Sequence, residues 1–302
     1  MEPPIFYKLK AKPSSNIPGG ISLYYKLTQM TINGKTTIIL SFGSKNDFCL
    51  NAIIKNYEKP NECYIDRVQK NNACVAEGTL KESGGTKDLV KVALWTIKDM
   101  FPHITKFTFK DDSHIECIEG SKEYKLSLSY DYILKYNQTW YQRLFNAELS
   151  DIRPDPKQET PSKREQFNSS LKILDEQLYP FDVINGLTSI PADTRSIYER
   201  SLSPRDFINN LRKEYKDDYC YKVAKWLSGY MRFLQVRLLE DDWYILRENV
   251  PEVPAYSRVE MKGTIRGGYK RNTRRNRSKT NYRIVHHNSE SIVGTYSHDN
   301  DN

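Results

Sequence analysis

Nine basic side chains stand between residues 262 and 283 (Lys262, Arg266, Lys270, Arg271, Arg274, Arg275, Arg277, Lys279 and Arg283), with no Asp or Glu among them. From 266 to 279 the cations alternate with Gly, Asn, Thr, Ser and one aromatic, Tyr269. Such a stretch has too little apolar surface to build a core, so its charges stay solvated. A cationic segment of this kind gains free energy by releasing counterions from a phosphate backbone. Its Arg and Tyr side chains can stack on unpaired bases. Lys270, Arg271, Arg274, Arg275, Arg277, Lys279 and Arg283 are therefore the candidate nucleic-acid-binding residues. Nothing in the pattern reads base edges, so the expected binding is non-specific and salt-sensitive. An acidic protein surface would attract the same segment, and basic runs also serve nuclear import. The nine account for the imbalance of the whole chain. Of 46 Lys and Arg, the remaining 37 face 38 Asp and Glu, so the body is close to neutral.

A second constellation is the run from Cys74 to Leu89, which reads as strand, Gly-containing turn and helix. Lys81, Ser83, Gly84, Gly85 and Thr86 lie at the junction. A helix start exposes unpaired backbone N–H groups and a positive dipole end, which suits a pyrophosphate. Paired glycines let backbone approach a ligand closely. Elsewhere the chemistry is sparse. Five histidines and five cysteines (Cys49, Cys63, Cys74, Cys117, Cys220) show no zinc spacing and no Cys-x-x-Cys pair. His114 and Glu116 fall on one face of a strand and Cys117 on the other. No metal site is predicted. An odd cysteine count without paired spacing predicts free thiols in a reducing compartment.

The elements that must position these residues follow from periodicity. Residues 1–125 are read mostly as strands, at 5–10, 21–31, 35–42, 48–54, 63–69 and 73–80, rich in Tyr, Ile, Val and Thr. Asn33 and Gly34 carry the signature of a two-residue hairpin turn, which pairs the second and third strands directly. Leu89, Val92, Ala93, Ile97 and Met100 recur at helical spacing before Pro102, giving a helix over 86–101. A strand at 107–115 and a helix over 129–149 follow, the latter capped by Ser129. Pro154, Pro156 and Pro161 mark 151–170 as a linker. Helices are expected at 171–178, 204–214 and 218–239.

Strand, Gly loop, helix and strand, followed by a helix carrying Trp140, Tyr141, Gln142, Arg143, Leu144 and Phe145, resemble in order the cofactor half of GNAT-type N-acetyltransferases. The resemblance covers about residues 60–150. It implies that Lys81, Ser83, Gly84, Gly85 and Thr86 hold the pyrophosphate of acetyl-CoA and that Tyr141 is the general acid to the departing thiolate. Thr86 falls where that family usually has Gly or Ala, and Phe145 where it often has Gly. A second resemblance is to a multi-copy protein family of large nucleocytoplasmic DNA viruses, the giant viruses. It rests on residues 111–117 and 136–147 together with the Gly-Gly, Arg and Asn-rich tail. It implies an infected-cell cytoplasm (viral factory) or a virion.

The N-terminus lacks a basic start and an apolar run, and no apolar stretch reaches the ~18–20 residues of a membrane helix. No membrane partner is expected. The sequence thus predicts an α+β protein. A mixed, mainly antiparallel sheet with two packed helices, GNAT-like, occupies 1–150. A linker (151–170), a small helical domain (171–256) and a disordered basic tail (257–302) follow.

Overall fold

The computed structural model describes residues 3–11, 21–44, 48–68, 85–111, 113–150, 161–176, 178–236, 243–253, 256–260 and 283–286. The first elements are strands β1 (Ile5–Ala11), β2 (Ile21–Ile32), β3 (Lys35–Gly43), β4 (Phe48–Lys55) and β5 (Glu62–Val68). Helix α1 (Gly85–Met100) and strands β6 (Lys106–Phe109), β7 (Ser113–Glu119) and β8 (Lys122–Ser127) come next. Then come α2 (Leu128–Tyr136), α3 (Trp140–Phe145), β9 (Glu148–Leu149), α4 (Lys163–Lys172), α5 (Phe181–Thr188) and α6 (Arg195–Glu199). The chain continues through α7 (Pro204–Tyr215), α8 (Tyr219–Ala224), α9 (Leu227–Phe233), β10 (Trp243–Leu246), β11 (Tyr256–Glu260) and β12 (Arg283–His286). The protein is a mixed α/β chain with a mostly antiparallel sheet and several helices.

It divides into two compact units, and the division does not fall at residue 150. One unit holds residues 1–110, 144–147 and 244–302; the other holds 111–143 and 148–243. The predicted strand at 107–115 is really two strands, β6 and β7, one in each unit. Of the two helices expected to pack on one sheet, α1 belongs to the first unit and α2 to the second.

In the first unit the sheet runs β11-β1-β2-β3-β4-β5-β6-β10. Neighbours from β11 to β5 are antiparallel, while β5 and β6 are parallel, with α1 lying between them in the chain. Asn33 and Gly34 both take positive φ (51° and 72°), which closes the β2–β3 hairpin with Ile32 opposite Lys35. Alternation then assigns each side chain to a face. Leu9, Leu23, Tyr25, Leu40, Phe42, Leu50, Ala52 and Ile54 share one face, and each is 0 % exposed. The buried stripe of α1 (Leu89, Val92, Ala93, Ile97) packs on this side, where the Tyr25 hydroxyl lies 3.5 Å from Met100 Sδ. Arg247 ends α1 by donating to the carbonyls of Lys98 (2.7 Å), Phe101 (3.2 Å) and Ile104 (3.0 Å). The Lys98 carbonyl belongs to the last helical turn, where acceptors lack an intrahelical partner. Strand β11 begins at the boundary read as the start of the tail and runs into it, antiparallel to β1 with Leu9 opposite Arg258.

The second unit is built from the antiparallel β7–β8 hairpin and helices α2 and α4–α9. Aromatic rings fill its centre: Phe207 meets Tyr198 at 4.8 Å, and Trp226 and Tyr230 each at 6.0 Å. The single helix predicted over 129–149 is two helices. Asn137 ends α2 in the left-handed region (φ 59°), and Thr139 and Gln142 start α3 as a capping pair. The helix predicted over 218–239 also breaks, at a turn over 225–226 between α8 and α9. Helix α4 begins inside the predicted linker. Ser162 accepts from Glu165 N (3.2 Å), and the Glu165 carboxylate accepts from Ser162 N (2.7 Å). The Pro-rich composition hid this capping box.

Cysteine usage differs from expectation. Cys117 on β7 and Cys220 on α8 are joined by a disulfide with a Cα–Cα distance of 5.7 Å. Cys49 is disulfide-bonded as well, whereas Cys63 is a free, buried thiol. Spacing in sequence could not reveal a pair 103 residues apart.

Candidate functional site

The predicted cofactor residues divide between described and undescribed chain. Lys81, Ser83 and Gly84 lie outside the described residues, as does the predicted strand at 73–80. Gly85 opens α1, and Thr86 follows it, half-buried in the first turn. Asp88 and Lys91 share that end of the helix. Burial pushes the Asp88 carboxyl above its usual range, against the pull of Lys91 and Lys87. Burial also lowers the Lys91 ammonium, assisted by repulsion from Lys87. Tyr141 sits on α3 in the second unit, whereas Gly85 and Thr86 belong to the first. Its phenol is buried, and that burial, with the Asp111 carboxylate as a smaller cause, pushes its pKa well above 10. It therefore stays protonated at any ordinary pH.

Lys270, Arg271, Arg274, Arg275, Arg277 and Lys279 lie outside the described residues. Arg283 begins the short strand β12. On β7 the predicted alternation holds. Cys117 turns to its disulfide with Cys220, while His114 and Glu116 are buried on the opposite face. Asp111 accepts from the Ser113 hydroxyl at 2.7 Å. Among the described residues no group of three or more His, Cys, Asp or Glu side chains is placed to hold a metal ion. No helix among them is long and apolar enough to cross a membrane.

A surface that the sequence reading passed over lies on the far face of the first sheet. Strands β1–β4 contain Lys8, Lys10, Lys26, Lys35 and Lys55 and not one Asp or Glu. The register puts all five lysines on the face opposite α1. Lys8 pairs with Tyr24, Tyr24 with Gly43, and Gly43 with Phe48. The next row is Phe6, Lys26, Ser41 and Asn51, and beyond it Thr37 faces Lys55 and Ile32 faces Lys35. On β1 and β2 lysine and aromatic side chains are therefore cross-strand neighbours, Lys8 with Tyr24 and Phe6 with Lys26. Three ammonium groups lie over rings: Lys8 over Tyr24 (5.5 Å), Lys26 over Phe48 (5.2 Å) and Lys35 over Tyr57 (5.1 Å). Each such contact is worth ~0.5–1 kcal/mol at an exposed site. Lys10, Lys35 and Lys55 are exposed, and Phe6, Lys8, Lys26 and Phe48 are half-buried. The neighbouring acids are few: Glu58 holds Lys55 at 3.2 Å, Glu62 meets Lys59 at 3.1 Å and Lys106 at 4.0 Å, and Asp66 on β5 borders the face beside Asn51. A legible signal existed in the sequence, namely four strands with lysine only at alternate positions and no acid. The bend in pairing between Phe42 and Gly43, which returns Phe48 to the lysine face, was not legible.

Comparison with protein-family models, with curated proteins and with solved structures finds no match.

Proposed function

We propose that this protein binds nucleic acid non-specifically through its basic C-terminal segment, and that its folded body is a divergent, non-catalytic acetyltransferase-like scaffold. The observation that carries this reading is the charge partition. Nine cations without an acid lie between residues 262 and 283, on a chain otherwise balanced at 37 basic against 38 acidic residues. Phosphate neutralisation by such a segment supplies affinity without base readout. An acidic protein assembly is the competing partner. The resemblance to the giant-virus family supports an infected-cell cytoplasm or virion as the setting. The test compares the full chain with a variant in which Lys270, Arg271, Arg274, Arg275, Arg277 and Lys279 are all Gln, titrating a labelled DNA duplex across a salt series. The variant should bind more weakly, and its log–log salt slope should fall by up to about five. An unchanged slope would refute the strap.

A second reading is that the body binds acetyl-CoA. It is supported by the parallel β5–β6 pair with α1 between them in sequence, and by the start of α1 at Gly85. A helix start of this kind offers N–H groups and a positive dipole end to a pyrophosphate. Calorimetric titration of acetyl-CoA into the full chain should give saturable heat that Gly84→Asp abolishes. No heat at millimolar ligand would remove the cofactor from consideration.

A further inference from the structure

We propose that the lysine–aromatic face of the first sheet is a platform for single-stranded nucleic acid, distinct from the basic segment. The inference deepens the nucleic-acid reading and rests on it for the partner class, but it comes from a separate observation. One face of β1–β4 is a dry core under α1. The other carries every lysine of those strands and no acid, with Phe6, Tyr24 and Phe48 set among them. A solvated sheet face normally mixes both charge signs, because like charges on neighbouring strands repel. Five lysines on one face, the acids kept to its margin, hold a potential suited to a polyanion.

The rings decide which polyanion. An acidic peptide or a lipid headgroup would be met by the lysines alone. A single strand offers both a phosphate chain and unstacked bases, and each base has a π-face that can lie on an aromatic side chain. Duplex bases are stacked on each other and cannot reach these rings. The ammonium of Lys26 lies over Phe48, and that of Lys8 over Tyr24. On binding, Lys26 swings from the Phe48 ring to a phosphate, and a base takes the vacated ring face, while Tyr24, 8 % exposed, stays beneath Lys8.

The test is fluorescence anisotropy on the full chain with a labelled oligo(dT) of about twelve nucleotides, within the range one such platform spans, and with a duplex of equal length. Four proteins are compared: the parent, Lys8→Glu with Lys26→Glu, Phe6→Ala with Phe48→Ala, and the six-Gln tail variant. The proposal expects the parent to prefer the single strand. The charge reversal should weaken single-strand binding at least tenfold and leave duplex binding nearly unchanged. The ring deletion should weaken it about fivefold or more. The tail variant should lose duplex binding yet keep a measurable single-strand preference. Lys8→Gln with Lys26→Gln, which keeps strand propensity, is measured alongside, and all variants must retain the parent's circular dichroism. Equal affinity for both nucleic acids, or single-strand binding untouched by the Lys8 and Lys26 changes, overturns the platform while leaving the strap standing. Binding to anionic vesicles or to polyglutamate that the Lys8 and Lys26 changes abolish, without oligonucleotide binding, overturns it in favour of another anion.

Discussion

Tyrosine does different work at different places in this chain. On the first sheet Tyr24 lies beneath Lys8 while Tyr25 stacks on Tyr7 in the core; in the second unit Tyr141, Tyr198, Tyr219 and Tyr230 are buried. Tyr219 donates to Asp131 at 3.2 Å and accepts from Arg212 at 3.2 Å, and the Arg212–Asp131 pair itself closes at 2.9 Å. That cluster ties α2, α7 and α8 together with charge, and removing one member would strand a buried partner. Burial drives the Tyr219 phenol up, with the Asp131 carboxylate adding to it, and drives Tyr230 and Tyr141 up as well. Tyr198, which donates to the Tyr179 carbonyl at 2.8 Å, is pushed by burial up to about 12. The sign follows directly. These groups hold their protons more tightly folded than unfolded, so their stabilising share is complete below pH 10 and is lost as pH climbs towards the folded values. In an alkaline titration Tyr141, Tyr198, Tyr219 and Tyr230 should therefore ionise only together with loss of near-ultraviolet circular dichroism. Ionisation of every tyrosine with that signal intact would contradict the burial.

Helix ends are where the elements of this protein are decided. The pattern from 129 to 149 is apolar at helical spacing throughout, which is why it reads as one helix. Two local devices interrupt it. The Asn137 backbone N–H bonds Ile133 O at 2.9 Å from a left-handed conformation, and Thr139 and Gln142 exchange hydrogen bonds at 2.9 and 3.2 Å. Arg205 secures the break from α7. It donates to the Ile133 and Leu134 carbonyls and to Asn137 Oδ1 (2.9 Å), while Asp175 holds its other edge. Thr139→Ala should cost about 1 kcal/mol in urea unfolding. Asn137→Gly should be nearly neutral, while Asn137→Val should cost about 1–2 kcal/mol for the left-handed backbone. If Asn137→Val is as stable as the parent, the break is misplaced. The Thr-x-x-Gln signal was present in the sequence, as were Ser203 before Pro204 for α7 and Asn33-Gly34 for the hairpin. Arg205 was not, because its three helix-terminal acceptors lie about seventy residues back in the chain.

At the scale of the whole molecule, the Cys117–Cys220 bond closes a span of 103 residues in the second unit. A link of that length is worth up to about 4–5 kcal/mol in the chain-entropy account. Cys117→Ser should lower unfolding stability by about 3–5 kcal/mol, and non-reducing peptide mapping should recover the Cys117 and Cys220 peptides joined. Their recovery as separate peptides would rule the bond out and restore the expectation of free thiols. The sequence by itself determined what depends on near neighbours. The five strands from 5 to 68, the turn at Asn33 and Gly34, the α1 stripe and the partition of charge all follow from local periodicity and composition. Only the tertiary structure decided where one unit ends and the next begins. It alone placed β11 beside β1, paired Cys117 with Cys220 and brought Asp131 to Arg212. It also gathered five scattered lysines on one sheet face. Each of these is a contact between residues distant in the chain, whose free energy exists only after the backbone between them has been ordered. No local window contains both partners, so no local pattern could announce them.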